Sequence, residues 1–241
     1  MTAEQNVDQT RKSAWVMFDR IAHRYDLLNR LLSLRMDVHW RNKLARFLPD
    51  RKNLHMLDVA TGTADVLLSL CKKSDKIEKG IGIDLAENML AIGRKKIEKS
   101  AFKDNLRLAT GDATNIEFAE NSFDVVTISF GIRNVNNLDL AISDIYKVLR
   151  KNGRFLVLEF SLPANFILKK LYLFYFRKIL PLIGRIISGD SYAYNYLNQT
   201  VESFPYGEDF CEVLKRNDFV NVKYKLLTFG IATIYQADKE Y

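Results

Sequence analysis

Two carboxylates flank a glycine-containing turn, and their spacing is the first in the sequence that is typical of a ligand-binding site. Asp58 closes an apolar run, Gly62 lies in the turn, and Asp65 opens an amphipathic stretch. A glycine in a strand-to-helix turn lets a ligand approach the backbone closely. The dinucleotide fingerprint G-x-G-x-x-G is absent, and two carboxylates would repel a pyrophosphate. The turn therefore favours a cationic ligand that carries no phosphate.

More polar residues follow the next three apolar runs. Asp84 ends the second run, Asp112 and Ala113 follow the third, and Ser129 ends the fourth. Each aspartate alone could be a helix N-cap. Together they indicate one site, because the carboxyl ends of parallel strands share an edge of the sheet. S-adenosylmethionine suits such a site: it is cationic at sulfur and nitrogen, its ribose hydroxyls suit Asp84, and its adenine edge suits Asp112 and Ala113.

Hydrophobic periodicity predicts the elements that must position these residues. Apolar residues recur at spacings of three and four in residues 10–48, which predicts a helical region. Short apolar runs then alternate with amphipathic stretches. They predict strands at 54–60, 79–84, 106–110, 123–130 and 155–160, with helices at 65–73, 88–100 and 137–149. Residues 151–153 are predicted to stop the last of these helices, and residues 220–227 and 231–236 to form an antiparallel closing pair.

This alternation predicts an α/β fold with an open, doubly wound sheet, because right-handed crossovers place helices on both faces. We expect one domain over residues 1–241. Its parts are an N-terminal helical extension (1–50), a cofactor-binding core (51–160), a helical substrate or lid region inserted after the fifth strand (161–219) and closing strands (220–241).

Composition restricts the function less than the motifs do. The chain has 241 residues, a net charge of +7 and a pI near 9.3. That charge favours anionic partners, although a solvated basic surface is an equally good interpretation. Cys71 and Cys211 are predicted to be reduced thiols, and the three histidines are too dispersed for a metal site. The polar N-terminus does not resemble a secretory signal, so we expect a cytoplasmic protein.

The stretch Phe166–Leu180 is rich in aromatic residues. Its uncharged core, Leu171–Phe176, is far too short to span a bilayer, which needs about 20 residues. Flanking lysines and arginines with interleaved tyrosine and phenylalanine are typical of an interfacial helix or a hydrophobic lid. A core helix packed on the sheet, or half of a dimer interface, is the alternative.

Several motifs occur in an order that resembles one family, the quinone-biosynthesis C-methyltransferases of the demethylmenaquinone and ubiquinone pathways. The most specific is Ile128–Val135 (ISFGIRNV). The others are Tyr25–Asn29, Leu158–Ser161, Tyr194–Leu197, Phe204-Pro205 and Leu227–Ala232. The sequence departs from the family pattern at Ala64, at residues 34–41 and at residues 151–153.

The resemblance implies a Rossmann-like class I methyltransferase sheet with S-adenosylmethionine as the methyl donor. It implies that the cofactor is contacted by residues at matching motif positions, namely Thr63, Asp84, Asp112, Ala113 and Ser129, with Asp58 and Gly62 in the same turn. It further implies C-methylation of a polyprenylated quinol, for which we expect demethylmenaquinol; the ubiquinone-pathway benzoquinol is the alternative. A lipid-tailed substrate implies peripheral contact with the inner face of the membrane, and a homodimer is an additional expectation.

The predicted reaction is in-line attack of a reduced ring on the sulfonium methyl, followed by loss of a proton from the ring. Alignment of the reacting atoms can supply most of the acceleration. The predicted catalytic residues are Arg133, which would stabilise an oxyanion, Asn134, which would hold a proton-accepting water, and Tyr25. The alternative is that Arg133 and Asn134 only form a turn, with the arginine in a salt bridge. His39 could be an acid or base, but a packed or surface histidine is the simpler interpretation.

Three other functions are alternatives to quinol methylation. An RNA or protein methyltransferase would suit the basic charge, but the basic residues are dispersed and no nucleic-acid-binding module is recognisable, so we expect no nucleic-acid partner. A non-catalytic cofactor-binding subunit should show gaps in the set of cofactor residues. A nicotinamide-dependent oxidoreductase should show the missing glycine fingerprint.

Overall fold

The computed structural model describes residues 14–179 and 191–240. Seven strands form one sheet: β1 (Leu54–Val59), β2 (Ile77–Asp84), β3 (Leu106–Thr110), β4 (Phe123–Ser129), β5 (Leu149–Phe160), β6 (Val220–Leu227) and β7 (Ala232–Asp238). Their order is β3-β2-β1-β4-β5-β7-β6. The first five strands are parallel, and β7 runs antiparallel to both β5 and β6. Strand order reverses at β1 and β4, so a crevice opens at their carboxyl ends.

Helices occupy much of the remaining described chain. They are α1 (Ala14–Leu32), α2 (Met36–Leu44), α3 (Asp65–Lys73), α4 (Glu87–Glu98), α5 (Leu138–Val148), α6 (Phe166–Phe174), α7 (Ser191–Ser203) and α8 (Glu208–Arg216). The predicted strands and helices of the core are all present, and the α3 and β3 bounds agree with the prediction. Residues 10–13 of the predicted N-terminal helical region lie outside the described residues, as does Leu180 of the aromatic stretch.

Two hydrophobic cores lie on opposite faces of the sheet, because successive side chains of a strand point to opposite sides. In β5, Val157 packs in one cluster with residues of α5 and α8. Its neighbours Leu156 and Leu158 pack in the other, with residues of α2 and α3. All three side chains are fully buried, and each such burial contributes about 1.5–3 kcal/mol. The predicted doubly wound architecture is therefore confirmed.

The helix that residues 151–153 were predicted to stop ends slightly earlier, at Val148. Residues 151–153 lie inside β5, which begins directly where α5 ends at Val148. Pairing with β4 jumps from Phe123–Leu149 to Val125–Arg154, so the intervening residues bulge out of the ladder. Asn152 adopts a left-handed φ of 59°, and its N–H donates to the carbonyl of Lys239. Hydrogen bonds between this bulge and Lys239, which no local pattern reveals, hold it against the chain after β7.

The predicted N-terminal helical region consists of two helices, α1 and α2, in the described residues. Leu34 and Arg35 adopt left-handed φ values of 51° and 63°, which interrupts the helical hydrogen-bond ladder between α1 and α2. On α1, Ala22 packs with Ala86 and Met89, so the helix lies against the start of α4. This places α1 across the carboxyl ends of the strands.

Charged side chains link the N-terminal helices to the core. The group, here called the ionic cluster, consists of Asp26, Arg30, Asp37, Arg41, Asp65 and Lys96. Burial alone would raise the pKa of Asp65, but Arg41 and Lys96 lower that pKa to about 2. Because the members come from α1, α2, α3 and α4, the cluster fixes α1 and α2 relative to the sheet.

The segment after β5 begins with α6, which has no buried residue and continues into a π-helical turn at Tyr175–Ile179. Helices α7 and α8 follow, and α8 packs its apolar face into the core. None of the described helices is long and apolar enough to cross a membrane.

Candidate active site

Two adjoining cavities open at the carboxyl ends of the parallel strands. One, of about 330 Å³, is here called the polar cavity, and the other, of about 410 Å³, the apolar cavity. Phe18 and Tyr25 of α1 and Phe130 after β4 line both. The two spaces therefore meet at these three side chains, so a group held in one cavity can face a group held in the other.

The glycine turn forms one wall of the polar cavity. Its residues Ala60, Gly62 and Ala64 all have left-handed φ, of 51°, 55° and 63°. The N–H of Gly62 donates to Asp84 Oδ2 over 2.8 Å. The turn thus coils tightly after β1 and is joined to the end of β2. Ala60 and Gly62 line the cavity, as predicted for the glycine.

Asp58 supports this turn from beneath and does not line either cavity. Its carboxylate is buried and accepts hydrogen bonds from the hydroxyls of Thr61 and Thr127, the first at 2.6 Å. Burial raises the pKa of Asp58 to about 6, although the two hydroxyls oppose that rise. The expectation that Asp58 lies beside the ligand is corrected: it links the turn to β4.

Thr63 also lies outside the cavity that it was predicted to line. Its hydroxyl donates to Asp26 Oδ1 and accepts from Lys96 Nζ, both at 2.8 Å. The side chain is buried, and its hydrogen-bonding capacity is used by the ionic cluster. Thr63 therefore holds α1 against α4 through its side chain, and its contact with the cofactor stays a prediction.

The other predicted cofactor residues all line the polar cavity: Gly62, Asp84, Asp112, Ala113 and Ser129. Asp84 Oδ1 accepts the N–H of Ala86 at 2.9 Å, and burial raises the pKa of its carboxyl. Asp112 Oδ1 accepts both the N–H and the hydroxyl of Thr114. Among the described residues, no lysine, arginine or histidine lines this cavity. Its field therefore favours a cation and disfavours a phosphate.

Two buried polar atoms in the polar cavity lack a partner. Within residues 14–179 and 191–240, neither Ser129 Oγ nor Asn134 Oδ1 has a hydrogen bond. A buried polar atom left unsatisfied costs about 1–3 kcal/mol. Both residues line the cavity, so polar groups of a ligand there would complete their hydrogen bonding.

Arg133 lies in a turn and forms a salt bridge, as its purely structural interpretation requires, but it also lines the apolar cavity. It lies in a 3₁₀ turn, Ile132–Asn134, and its Nη1 is 2.7 Å from Glu159 Oε1. The same nitrogen donates to the carbonyl of Phe130 at 2.6 Å. Only 4% of the residue is exposed, yet in the described chain its Nε has no hydrogen-bond partner. The turn and salt bridge thus hold a cation in the wall of the apolar cavity.

The other predicted catalytic residues divide between the cavities. Asn134 lines the polar cavity and not the apolar one, whereas Tyr25 lines both. Burial raises the pKa of Tyr25, while a hydrogen bond with Asn29 and the charges of Arg41 and Arg133 act in the opposite direction. His39 is exposed and lines neither cavity, so its role as an acid or base at this site is excluded by position.

Sequence patterns missed most of the apolar cavity. Trp40, Arg41, Phe160 and Tyr172 line it from α2, β5 and α6. Rings of Trp40, Phe130 and Phe160 pack against one another with centroids 4.6–6.1 Å apart. In the sequence these residues belong to separate elements, and no local pattern brings them together. Only Tyr25, Arg133 and the aromatic stretch at 166–180 were singled out by sequence patterns as possible parts of a substrate site.

Comparison with known proteins identifies the family. The model of the ubiE/COQ5 methyltransferase family matches residues 5–239. The chain belongs to the ubiE/COQ5 methyltransferase family. It is therefore a methyltransferase whose methyl donor is S-adenosylmethionine.

Similar curated proteins carry two kinds of name. The chain is 40% identical over 223 residues to demethylmenaquinone methyltransferase of Bacteroides fragilis, covering 92% of this chain and 91% of that one. It is equally identical to demethylmenaquinone methyltransferase of Thermus thermophilus, covering 92% and 100%. The ubiquinone/menaquinone biosynthesis C-methyltransferase UbiE of Geotalea daltonii is also 40% identical, covering 92% and 94%.

Solved structures share the fold at low sequence identity. A SAM-dependent methyltransferase of Thermotoga maritima, described as a possible histamine N-methyltransferase, superposes with a TM-score of 0.68 at 18% identity, covering 94% of this chain and all of that one. Phosphoethanolamine N-methyltransferase 2 of Haemonchus contortus, in complex with S-adenosyl-L-methionine, gives 0.60 at 18% identity, covering 82% and 51%. These similarities confirm the predicted methyltransferase sheet.

The polar cavity fits the methyl donor of the family. It combines two carboxylates, no basic lining side chain in the described chain, and two unsatisfied polar atoms. S-adenosylmethionine is cationic, carries no phosphate and offers hydroxyl, amino and adenine groups for those atoms.

Proposed function

We propose that the protein methylates a ring carbon of a polyprenylated quinol, with demethylmenaquinol as the acceptor. The observation that supports this most directly is the pair of joined cavities. A polar space suited to S-adenosylmethionine meets an apolar space lined by aromatic and aliphatic side chains at Phe18, Tyr25 and Phe130. A naphthoquinol ring is flat and apolar except at its two oxygens, which suits the second space.

In the polar cavity, Asp84 would bind the ribose hydroxyls, and Asp112 with Ala113 would bind the adenine edge. Ser129 and Asn134 would pair with the remaining polar groups through their unsatisfied oxygens. When bound, S-adenosylmethionine supplies a methyl group on a cationic sulfur. The residues of the polar cavity would hold that group towards the junction of the two cavities and would exclude water from it.

In the apolar cavity, Arg133 would stabilise the negative charge that develops on a quinol oxygen. Its guanidinium is fixed by Glu159 and the carbonyl of Phe130, so it would not reorganise during the reaction. Tyr25 faces both cavities and would orient the ring against the methyl group. Asn134 contributes from the cofactor side, where its amide could hold a water that accepts the ring proton.

The ubiquinone-pathway benzoquinol is the second candidate acceptor, because relatives named for both pathways match at the same 40% identity. Labelled methyl transfer to short-tailed forms of the two reduced rings, at matched concentrations, separates the candidates. We expect the larger kcat/KM with demethylmenaquinol, and no transfer when either ring is oxidised. A larger value for the benzoquinol would reassign the head group, and transfer to neither would refute a quinol acceptor.

We also propose that the protein contacts the inner face of the membrane at the mouth of the apolar cavity. Leu34 and Phe229 line the cavity, yet 81% and 80% of their surfaces are exposed. Leu171 and Leu168 of α6 are also exposed at this mouth, and Phe166, Ile167 and Phe174 extend the apolar surface along that helix. The exposed Arg35 and Lys170 lie beside it, which suits anionic lipid.

Flotation with vesicles of phosphatidylcholine and phosphatidylglycerol tests this contact. The double variant Phe166→Ser/Ile167→Ser should bind much less, while its activity on a short-tailed soluble quinol should stay normal because neither residue lines a cavity. Leu140→Ser changes an exposed leucine on α5, away from this surface. It is the control and should float like the parent. Equal flotation of all three proteins would refute the proposal that this surface contacts the membrane.

The organisation of the chain as a single domain and the formation of a homodimer stay predictions.

A further inference from the structure

Tyr172 is a half-buried residue of the aromatic helix α6 that lines the apolar cavity, and its hydroxyl oxygen is buried. Its ring stacks on Phe176 with centroids 5.0 Å apart and an interplanar angle of 25°. Phe176 is itself 2% exposed and packs against Phe160 of β5. The ring of Tyr172 is therefore held in one position by packing on the core.

The hydroxyl of Tyr172 has no partner to explain its burial. Across residues 14–179 and 191–240, its oxygen makes no hydrogen bond. A phenylalanine would pack the same ring at this position and avoid the cost of about 1–3 kcal/mol that a buried unsatisfied hydroxyl carries. An unpartnered hydroxyl in a ligand cavity calls for a partner that the described residues do not supply.

A second orphan donor lies in the same wall. Arg133 Nε has no partner in the described chain, and Arg133 lines the same cavity. Arg133 is close enough to act electrostatically on the phenol of Tyr172. Burial raises the pKa of Tyr172, so the phenol keeps its proton at neutral pH and can donate it in a hydrogen bond. A phenol and a guanidinium, from α6 and from the loop after β4, thus offer unpaired donors to the same cavity.

We propose that Tyr172 donates a hydrogen bond to the quinol oxygen that Arg133 also faces, which makes Tyr172 a substrate-binding residue. This inference rests on the proposed quinol acceptor. Two donors from different elements would recognise one ring oxygen and fix the rotation of the ring relative to the methyl group. A ring without that oxygen would leave both donors unpaired and should be rejected. The aromatic helix would then serve recognition of the head group as well as contact with lipid.

The test compares Tyr172→Phe with the parent and with Tyr224→Phe, a control at a half-exposed tyrosine on β6 outside both cavities. For a short-tailed demethylmenaquinol, kcat/KM of Tyr172→Phe should fall roughly 10- to 100-fold, the effect of losing a hydrogen bond to a developing charge. Its dissociation constant for S-adenosylmethionine should not change, because Tyr172 does not line the polar cavity. Its Tm should stay the same or rise, because an unsatisfied buried hydroxyl is removed. Tyr224→Phe should match the parent in all three.

Binding of two rings that already carry a methyl group, one with hydroxyls and one without, shows whether Tyr172 recognises the quinol oxygen or only shapes the cavity. The probes are 2,3-dimethyl-1,4-dihydroxynaphthalene, kept reduced, and 2,3-dimethylnaphthalene. Tyr172→Phe should weaken binding of the diol only. Equal binding of the diol by both proteins, or equal weakening for both rings, would overturn the proposal. If the parent methylates no quinol but the diol-specific loss remains, the proposed reaction fails while the binding role of Tyr172 stands.

Discussion

Arg133 and Glu159 show how a single pair can serve both the fold and the reaction. The carboxylate of Glu159 is fully buried, and it receives Arg133 Nη1 at 2.7 Å and the backbone N–H of Phe160 at 2.8 Å. Removing one partner of a buried pair leaves an uncompensated charge, which costs about 3–5 kcal/mol. The pair therefore fixes the cation at the cavity wall and ties the loop after β4 to β5.

Single and paired substitutions of Arg133 and Glu159 should therefore give different results. Arg133→Ala should lower the free energy of unfolding by about 3–5 kcal/mol, measured in urea, because Glu159 loses its partner. Arg133→Gln combined with Glu159→Gln should recover most of that stability, since no charge remains buried. Methyl transfer should fall by roughly 100-fold or more in both proteins. A paired variant that turned over like the parent would remove Arg133 from the mechanism.

Asp58 should make the stability of the folded protein depend on pH. Burial raises its folded-state pKa to about 6, above its value in the unfolded chain. The folded protein therefore binds this proton more tightly, and stability from this group is lost as pH rises from about 4 to about 6. Each pKa unit corresponds to about 1.4 kcal/mol, so the loss is about 3 kcal/mol.

Asp58→Asn removes that titration, so the unfolding free energies of the variant and the parent can be compared across pH. The unfolding free energy of the variant minus that of the parent should increase between pH 4 and pH 6, and then level off. Asp124→Asn is a suitable comparison, because Asp124 is also buried but forms ion pairs with Arg51 and Arg150. A pH-independent difference for Asp58→Asn would show that Asp58 titrates normally in the folded protein.

At the scale of elements, the ionic cluster determines where α1 lies. Lys96 contacts Asp26 of α1, and it donates to Thr63 and Asp65 at 2.8 Å each. Helix α1 supplies Phe18 and Tyr25, which line both cavities. The position of one helix therefore affects both halves of the site.

Lys96→Met should loosen α1 without touching either cavity. We expect KM to rise several-fold for both S-adenosylmethionine and the quinol, and the unfolding free energy to fall by about 1–2 kcal/mol. The neighbouring Lys95→Met, at an exposed position of the same helix, should change neither quantity. If Lys96→Met raised only one of the two KM values, α1 would not act on both cavities as a unit.

The strands and helices of the core could be predicted from the sequence because each has a local hydrophobic pattern. The positions of Asp84, Asp112 and Ser129 in the lining of the polar cavity were predictable for a related reason: each lies at the end of such a strand or within two residues of it. Asp58 and Thr63 lie near the end of β1, but their side chains contact Thr127 and Lys96, which are distant in the sequence. Side-chain direction within a tight turn depends on those tertiary contacts, which spacing does not encode.

The apolar cavity was less predictable because it is assembled from elements that meet only in the folded chain. Trp40 bonds to Thr228 through its indole N–H at 2.8 Å, across nearly the whole sequence. Likewise, the bulge at residues 151–153 of β5 is held by backbone hydrogen bonds with Lys239. Neither contact has a local signature, so only the aromatic stretch after β5 indicated that an apolar surface was needed.

For the molecule as a whole, the account requires a polar site and an apolar site that meet at one junction, with the apolar one opening beside exposed α6. The most direct test is a crystal structure with S-adenosylhomocysteine and a short-tailed demethylmenaquinol kept reduced. The account predicts the nucleoside beside Asp84 and Asp112, the ring between Arg133 and Tyr25, and the sulfur facing a ring carbon at Phe130. A ring bound outside the apolar cavity, or with its carbons turned away from the sulfur, would contradict it.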